Sequence, residues 1–125
     1  MPIFNLYAGW IGILLGFLTG SIHGLFFHEE HWLGGYGSWA RRISRLGHIS
    51  LFGLGLINLA FVFTVDHLEL RDRVSWPSGL LILGIITMPL TCYLSAWRPA
   101  LRHFFVVPTL SLLAAVVLFL IRLTN

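Results

Sequence analysis

Four long apolar blocks, parted by short polar stretches, constrain this chain more than any other feature of its sequence. A lipid core about 30 Å thick is crossed by roughly 20 mainly apolar residues in a helix. The blocks, at about residues 3–27, 43–65, 77–97 and 99–123, each meet that length. No water reaches backbone groups inside lipid, and these runs are about twice as long as a barrel strand, so they read as helices. Four spans and three connections consume nearly all 125 residues and leave no room for a separate soluble domain. Composition agrees, with 57% of residues hydrophobic and 10% charged, against about 25% charged in a soluble domain. The sequence predicts an all-α membrane protein, one domain over residues 1–125 with four transmembrane helices in an up-down-up-down bundle.

The first block has no basic leading segment and is longer than the apolar core of a signal peptide, so it reads as an uncleaved span. All eight basic residues are arginines and the formal net charge is +3. They flank the spans instead of forming a basic face, which reads as topology signalling and not as a nucleic-acid interface. Arg41, Arg42, Arg45, Arg98 and Arg102 lie on the side of the first and third connections, and Arg71, Arg73 and Arg122 on the other. That bias predicts a multi-pass protein of the inner (plasma) membrane, termini outside and loops one and three cytoplasmic. Trp32, Trp39, Trp76 and Trp97 fall at span ends, where an interfacial belt is expected. Cys92 is the single cysteine and lies within a span, so no disulfide framework exists.

Small and polar residues recur at helical spacing. Gly12, Gly16, Gly20 and Gly24 stand at every fourth position of the first helix. In lipid such a ridge lets two backbones approach closely, either within the chain or between two copies. Matching stripes run through Ser44, His48, Leu51, Gly55 and Asn58, through Gly84, Thr87, Thr91 and Ser95, and through His103, Val107, Ser111 and Ala114. Polar side chains in a membrane face the bundle interior, so these stripes predict the inward faces. Pro89 and Pro108 stand inside the third and fourth blocks, where proline kinks a helix.

Six histidines in so apolar a chain carry most of the chemical information. His28 extends the glycine ridge, while His48 and His103 lie on stripes near the starts of their helices. In an antiparallel bundle all three sit on one membrane side, so the sequence predicts their convergence near the cytoplasmic face. Imidazole is a common neutral ligand for haem iron, copper and zinc. The expected cofactor is haem b held by His28, His48 and His103, or a transition-metal ion on those residues with His31 and Glu29. His23 lies deeper in the first span, where an ionisable residue is a functional candidate in itself. With Asn58 it is expected as a buried polar group, and Asn58 and Cys92 are its candidate partners. His67 falls in the charged second connection and reads as solvated. Gly34, Gly35 and Gly37 lack the lysine of a phosphate-binding loop, and no nucleophile has a spacing-defined partner.

Through Gly-Leu-Phe-Phe-His at 24–28, Trp-Leu-Gly-Gly-Tyr-Gly at 32–37 and Arg-Leu-Gly-His-Ile at 45–49, the chain resembles a group of small, uncharacterised bacterial four-helix membrane proteins. That resemblance implies the architecture and no activity. In architecture alone, a four-helix bundle with inward histidines is similar to b-type cytochrome membrane subunits. Three functions remain open at this point. The first is a redox or respiratory-complex subunit carrying haem or metal. The second is a cofactor-free structural or assembly subunit, with other membrane subunits or a second copy as partner. The third is a proton or small-solute pathway, which the narrow interior of one four-helix copy makes the least favoured.

Overall fold

The computed structural model describes residues 2–125. Its elements are α1 (Ile3–Phe26), a 3-10 turn (Trp32–Gly34), α2 (Trp39–His67), a second turn (Arg71–Arg73) and α3 (Ser75–Trp97). A 3-10 stretch (Pro99–Phe105) then leads into α4 (Val106–Thr124). Each of the four helical segments is long and apolar enough to cross a membrane, and no strand occurs among the described residues. The predicted all-α, four-span fold is what the chain adopts. Trp76 and Trp97, 75% and 74% exposed, mark the two ends of α3. Their separation along the helix, roughly 30 Å by its rise, matches the thickness of a lipid core.

The ends of the helices follow local chemistry. α2 starts at Trp39, ahead of the expected span, because Ser38 caps it: Ser38 Oγ accepts from the Arg41 backbone N–H at 3.1 Å. α4 starts only at Val106, so Pro108 falls in its first turn, where the missing N–H costs nothing. The kink expected inside the fourth span is thereby replaced by a change from 3-10 to α winding before it. That change also rotates the buried face. Pro108, Ser111 and Ala115 point inward, whereas His103 and Val107 of the predicted stripe are exposed and Ala114 is only half-buried. A 3-10 turn advances about 120° per residue against 100° for α, so one stripe cannot run through both.

α2 and α3 form the centre. In their most apolar windows 44% and 39% of residues are buried, against 22% in α1 and 17% in the last helical segment. α1 packs on α2 and more lightly on α3; α4 packs on α3, and α1 and α4 share no substantial interface. The antiparallel bundle is therefore open on one side. Its apolar core gathers Phe61, Val62, Val65, Val74, Leu81 and Ala115 at the end nearer the second connection. Phe119 of α4 closes on Phe61 of α2 edge-on, with ring centroids 4.8 Å apart.

The α1–α2 contact is the closest backbone approach. A Cβ on Gly55 would lie 2.9 Å from the carbonyl oxygen of Gly9, so only glycine fits this crossing. Gly12, Gly16 and Gly20 continue the ridge against Leu51, Phe52 and His48. Gly24 does not belong to it, because nothing lies within 4 Å of the Cβ position there. At the other end of the ridge, Asn5, Asn58 and Ser78 tie three helices together. Asn5 Nδ2 donates to Asn58 Oδ1 at 2.8 Å and to the Ser78 carbonyl at 3.2 Å, and Ser78 Oγ donates to Asn5 Oδ1. Asn58 Nδ2 donates to the Leu54 carbonyl at 2.9 Å, so both amides are fully buried and satisfied.

Candidate functional site

A second group of polar side chains, packed among aromatic rings, lies at the opposite end of the molecule, where α1 ends and α2 begins. Arg41 organises this end. It is 1% exposed, yet no carboxylate among the described residues pairs with it. Its Nη1 donates to the Glu29 carbonyl at 2.7 Å and its Nη2 to the Phe27 carbonyl at 2.6 Å. Both carbonyls lie just beyond the C-terminus of α1, where backbone acceptors lack helical partners and the helix dipole is negative. The guanidinium also sits 3.9 Å from the centre of the Tyr36 ring, with Phe27 and Trp32 at 5.6 and 5.4 Å. Carbonyl dipoles and aromatic faces thus take the place of a counter-ion. Gly34 and Gly35, with φ of 89° and 104°, let the connection turn back tightly enough to wrap this cation.

Beside Arg41, two histidines meet. His48 of α2 lies across the backbone of α1 at Gly20, and its Nδ1 is 3.1 Å from Thr19 Oγ1. His23 of α1 stacks on His48, ring centroids 5.8 Å apart and planes inclined by 23°. Trp32 from the first connection stands edge-on to His23 at 5.2 Å and stacks on Phe26 at 5.5 Å. Phe52 closes the other side of His48 edge-on at 5.4 Å. Tyr93 and Cys92 of α3 abut α2 at Gly47, one residue before His48. Trp39 Nε1 donates to the Ser95 carbonyl at 2.9 Å and joins α2 to the end of α3. Among the described residues, Tyr93 Oη and Ser95 Oγ are the buried side-chain oxygens with no hydrogen-bond partner.

The structure does not bring His28, His48 and His103 together. α1 ends at Phe26, so His28 leaves the ridge; it faces outward and pairs with Glu29 at 3.2 Å, the two side chains 75% and 61% exposed. His103 is exposed on the 3-10 stretch, and its helix shares no substantial interface with α1. His31 precedes the first 3-10 turn and His67 ends α2, both exposed. Among the described residues no three His, Cys, Asp or Glu side chains lie close enough to share a metal ion. His23 takes neither expected partner: Asn58 is bound to Asn5 at the far end, and Cys92 packs against Gly47.

Sequence reasoning passed over Arg41 as a topology charge, and it passed over Asn5, Thr19 and Tyr93 altogether. Asn5 was accessible, since Asn5, Gly9, Gly12, Gly16 and Gly20 continue one three-four stripe. Arg41 was not: one arginine of an Arg-Arg pair at a span end reads as a topology signal whether it is buried or free.

Fold and site together define a small multi-pass membrane protein with an aromatic-lined Arg–His cluster at one end. Comparison with protein-family models, with curated proteins and with solved structures finds no match to the chain in any of the three.

Proposed function

We propose that the protein is a subunit of a larger membrane assembly and acts through lateral contacts within the bilayer. The observation that carries this is the open arrangement: α1 and α4 flank a central α2–α3 pair without meeting, and each leaves most of its apolar surface uncovered. The connections are short, and the first is folded around Arg41 of α2. Little extramembrane surface remains for another task. Solubilising the source membrane in a mild detergent and separating it by native electrophoresis tests the reading. Migration within a heavier assembly, at constant stoichiometry with the same companions, is expected. Migration only as a free protein of its own mass refutes it. The arginine bias further supports an inner-membrane setting with both termini outside.

The His23–His48 contact favours a second reading, in which the pair contributes ligands to a transition-metal ion. Thr19 orients the ring of His48 through Nδ1, as outer partners orient metal-bound imidazoles. Two imidazoles are an incomplete donor set, so the remaining donors come from a neighbouring subunit or a small molecule. The ring of His48 already lies against the α1 backbone at Gly20, which favours a small ion over a haem macrocycle. Elemental analysis and an optical spectrum of the gently purified, folded protein decide this. A stoichiometric metal lost in His23→Ala supports it; a colourless, metal-free preparation ends it.

A further inference from the structure

An apolar cleft runs along the flank of the bundle. α1 and α3 are joined at one end by Asn5 and Ser78 and meet again where Ile85 lies against Gly12, with the cleft beside that contact. The cleft between them has a volume of about 440 Å³ and a lining that is almost wholly apolar. Ala8, Ile11 and Gly12 of α1, Leu51 of α2 and Ile85 and Ile86 of α3 line it. From Phe4 to Leu15 it follows α1 for roughly 16 Å by helix rise. A groove of this length and lining can take the hydrocarbon chain of a lipid.

The cleft has a polar mouth. A second recess of about 320 Å³, lined by Arg71, Ser75 and Ser78 among others, shares Phe4 and Ile82 with it, so the two adjoin. Arg71 commits only its Nη2, to Asp66, which leaves Nη1 and Nε to donate. An arginine with free donors and an exposed serine, set beside an apolar cleft, together have the outline of a phospholipid. We infer that this groove binds one phospholipid with an anionic headgroup, its phosphate at Arg71 and Ser75 and one acyl chain between α1 and α3. One juxtamembrane arginine favours an anionic lipid by about fivefold.

Native mass spectrometry tests this on the full chain released from micelles doped with equal amounts of phosphatidylglycerol and phosphatidylcholine. The expected spectrum shows one retained lipid per chain, with phosphatidylglycerol favoured about fivefold. Arg71→Gln should equalise the two lipids while keeping the adduct. Ala8→Phe should fill the slot and remove the adduct, with helicity by circular dichroism unchanged. A wild-type protein with no adduct, or with a ladder of adducts that does not stop at one, overturns the inference. So does an Arg71→Gln variant that keeps its preference, or an Ala8→Phe variant that is still helical and still loaded. Displacement of the phospholipid by an equal amount of an isoprenoid quinone overturns the headgroup assignment.

Discussion

Arg41 shows how one residue can be placed by the sequence and yet misjudged by it. Its position beside the second span follows from composition, and so does the preference of arginine for that boundary. That it is buried follows only from the path of the first connection, which brings Phe27, Glu29, Trp32 and Tyr36 around its guanidinium. Hydrogen bonds from a charged donor contribute about 1.5–3 kcal/mol each. Removing this donor leaves two carbonyls at the end of α1 without it, so Arg41→Gln should destabilise the protein by about 2–3 kcal/mol. Arg41→Lys should recover less than half of that, because an ammonium cannot bridge both carbonyls while lying flat against Tyr36. Unfolding in mixed micelles gives the stability, and limited proteolysis of residues 28–38 reports the local effect. Wild-type stability and protection in Arg41→Gln would show that the connection holds its shape without the cation. The histidines teach the same lesson in reverse. Their shared membrane side was legible, but lateral position was not, because His28 lies past a helix end and His103 on a 3-10 turn.

Between helices, the glycine ridge separates what spacing can say from what it cannot. A period of four in α1 marked a close contact, and Gly12, Gly16 and Gly20 make it. The same period included Gly24, which touches nothing, and left out Gly9, three residues before Gly12 and at the tightest point. Spacing finds the face of a helix; the crossing point and length of contact depend on the partner, here Gly55 of α2 and the His48 ring. Two alanine substitutions therefore differ sharply. In Gly55→Ala the new Cβ meets the Gly9 carbonyl oxygen at 2.9 Å and the Ile13 backbone nitrogen at 3.2 Å, neither of which can move unless the helices part. A loss of about 1–3 kcal/mol is expected from such overpacking. Gly24→Ala meets no atom within 4 Å and should be neutral or gain up to about 1 kcal/mol from helix propensity. Equal stabilities for the two variants, measured by the same unfolding assay, would mean that α1 and α2 do not cross at Gly55.

For the whole molecule, the number and direction of the spans were readable because lipid thickness and backbone satisfaction admit few alternatives. That consecutive helices adjoin was also readable from the short connections, but that α4 would not close on α1 was not. A side chain facing lipid and one facing a neighbouring helix are both apolar, so no solvent boundary betrays the order of neighbours. Polar atoms supply what information there is: Asn5 with Asn58 and Ser78 fixes α1, α2 and α3, and Ser111 Oγ donating to the Leu80 carbonyl at 2.6 Å fixes α4 on α3. The absolute orientation in the membrane follows neither from packing nor from these bonds, and it rests on the arginine bias alone. Five arginines accompany the first and third connections and three the opposite side, so the first connection should face the cytoplasm. Cys92 is fully buried and leaves the wild-type chain silent to an impermeant maleimide, which makes the chain its own control. Glu30→Cys and Asp72→Cys each place a thiol at an exposed position, one in each of the first two connections. Labelling of intact cells should modify Asp72→Cys alone, with Glu30→Cys reacting only after permeabilisation. The reverse pattern would invert the protein in the membrane and leave its fold intact. Labelling of both from one side would break the four-span architecture itself, because an odd number of crossings must separate those two positions if α2 traverses the bilayer.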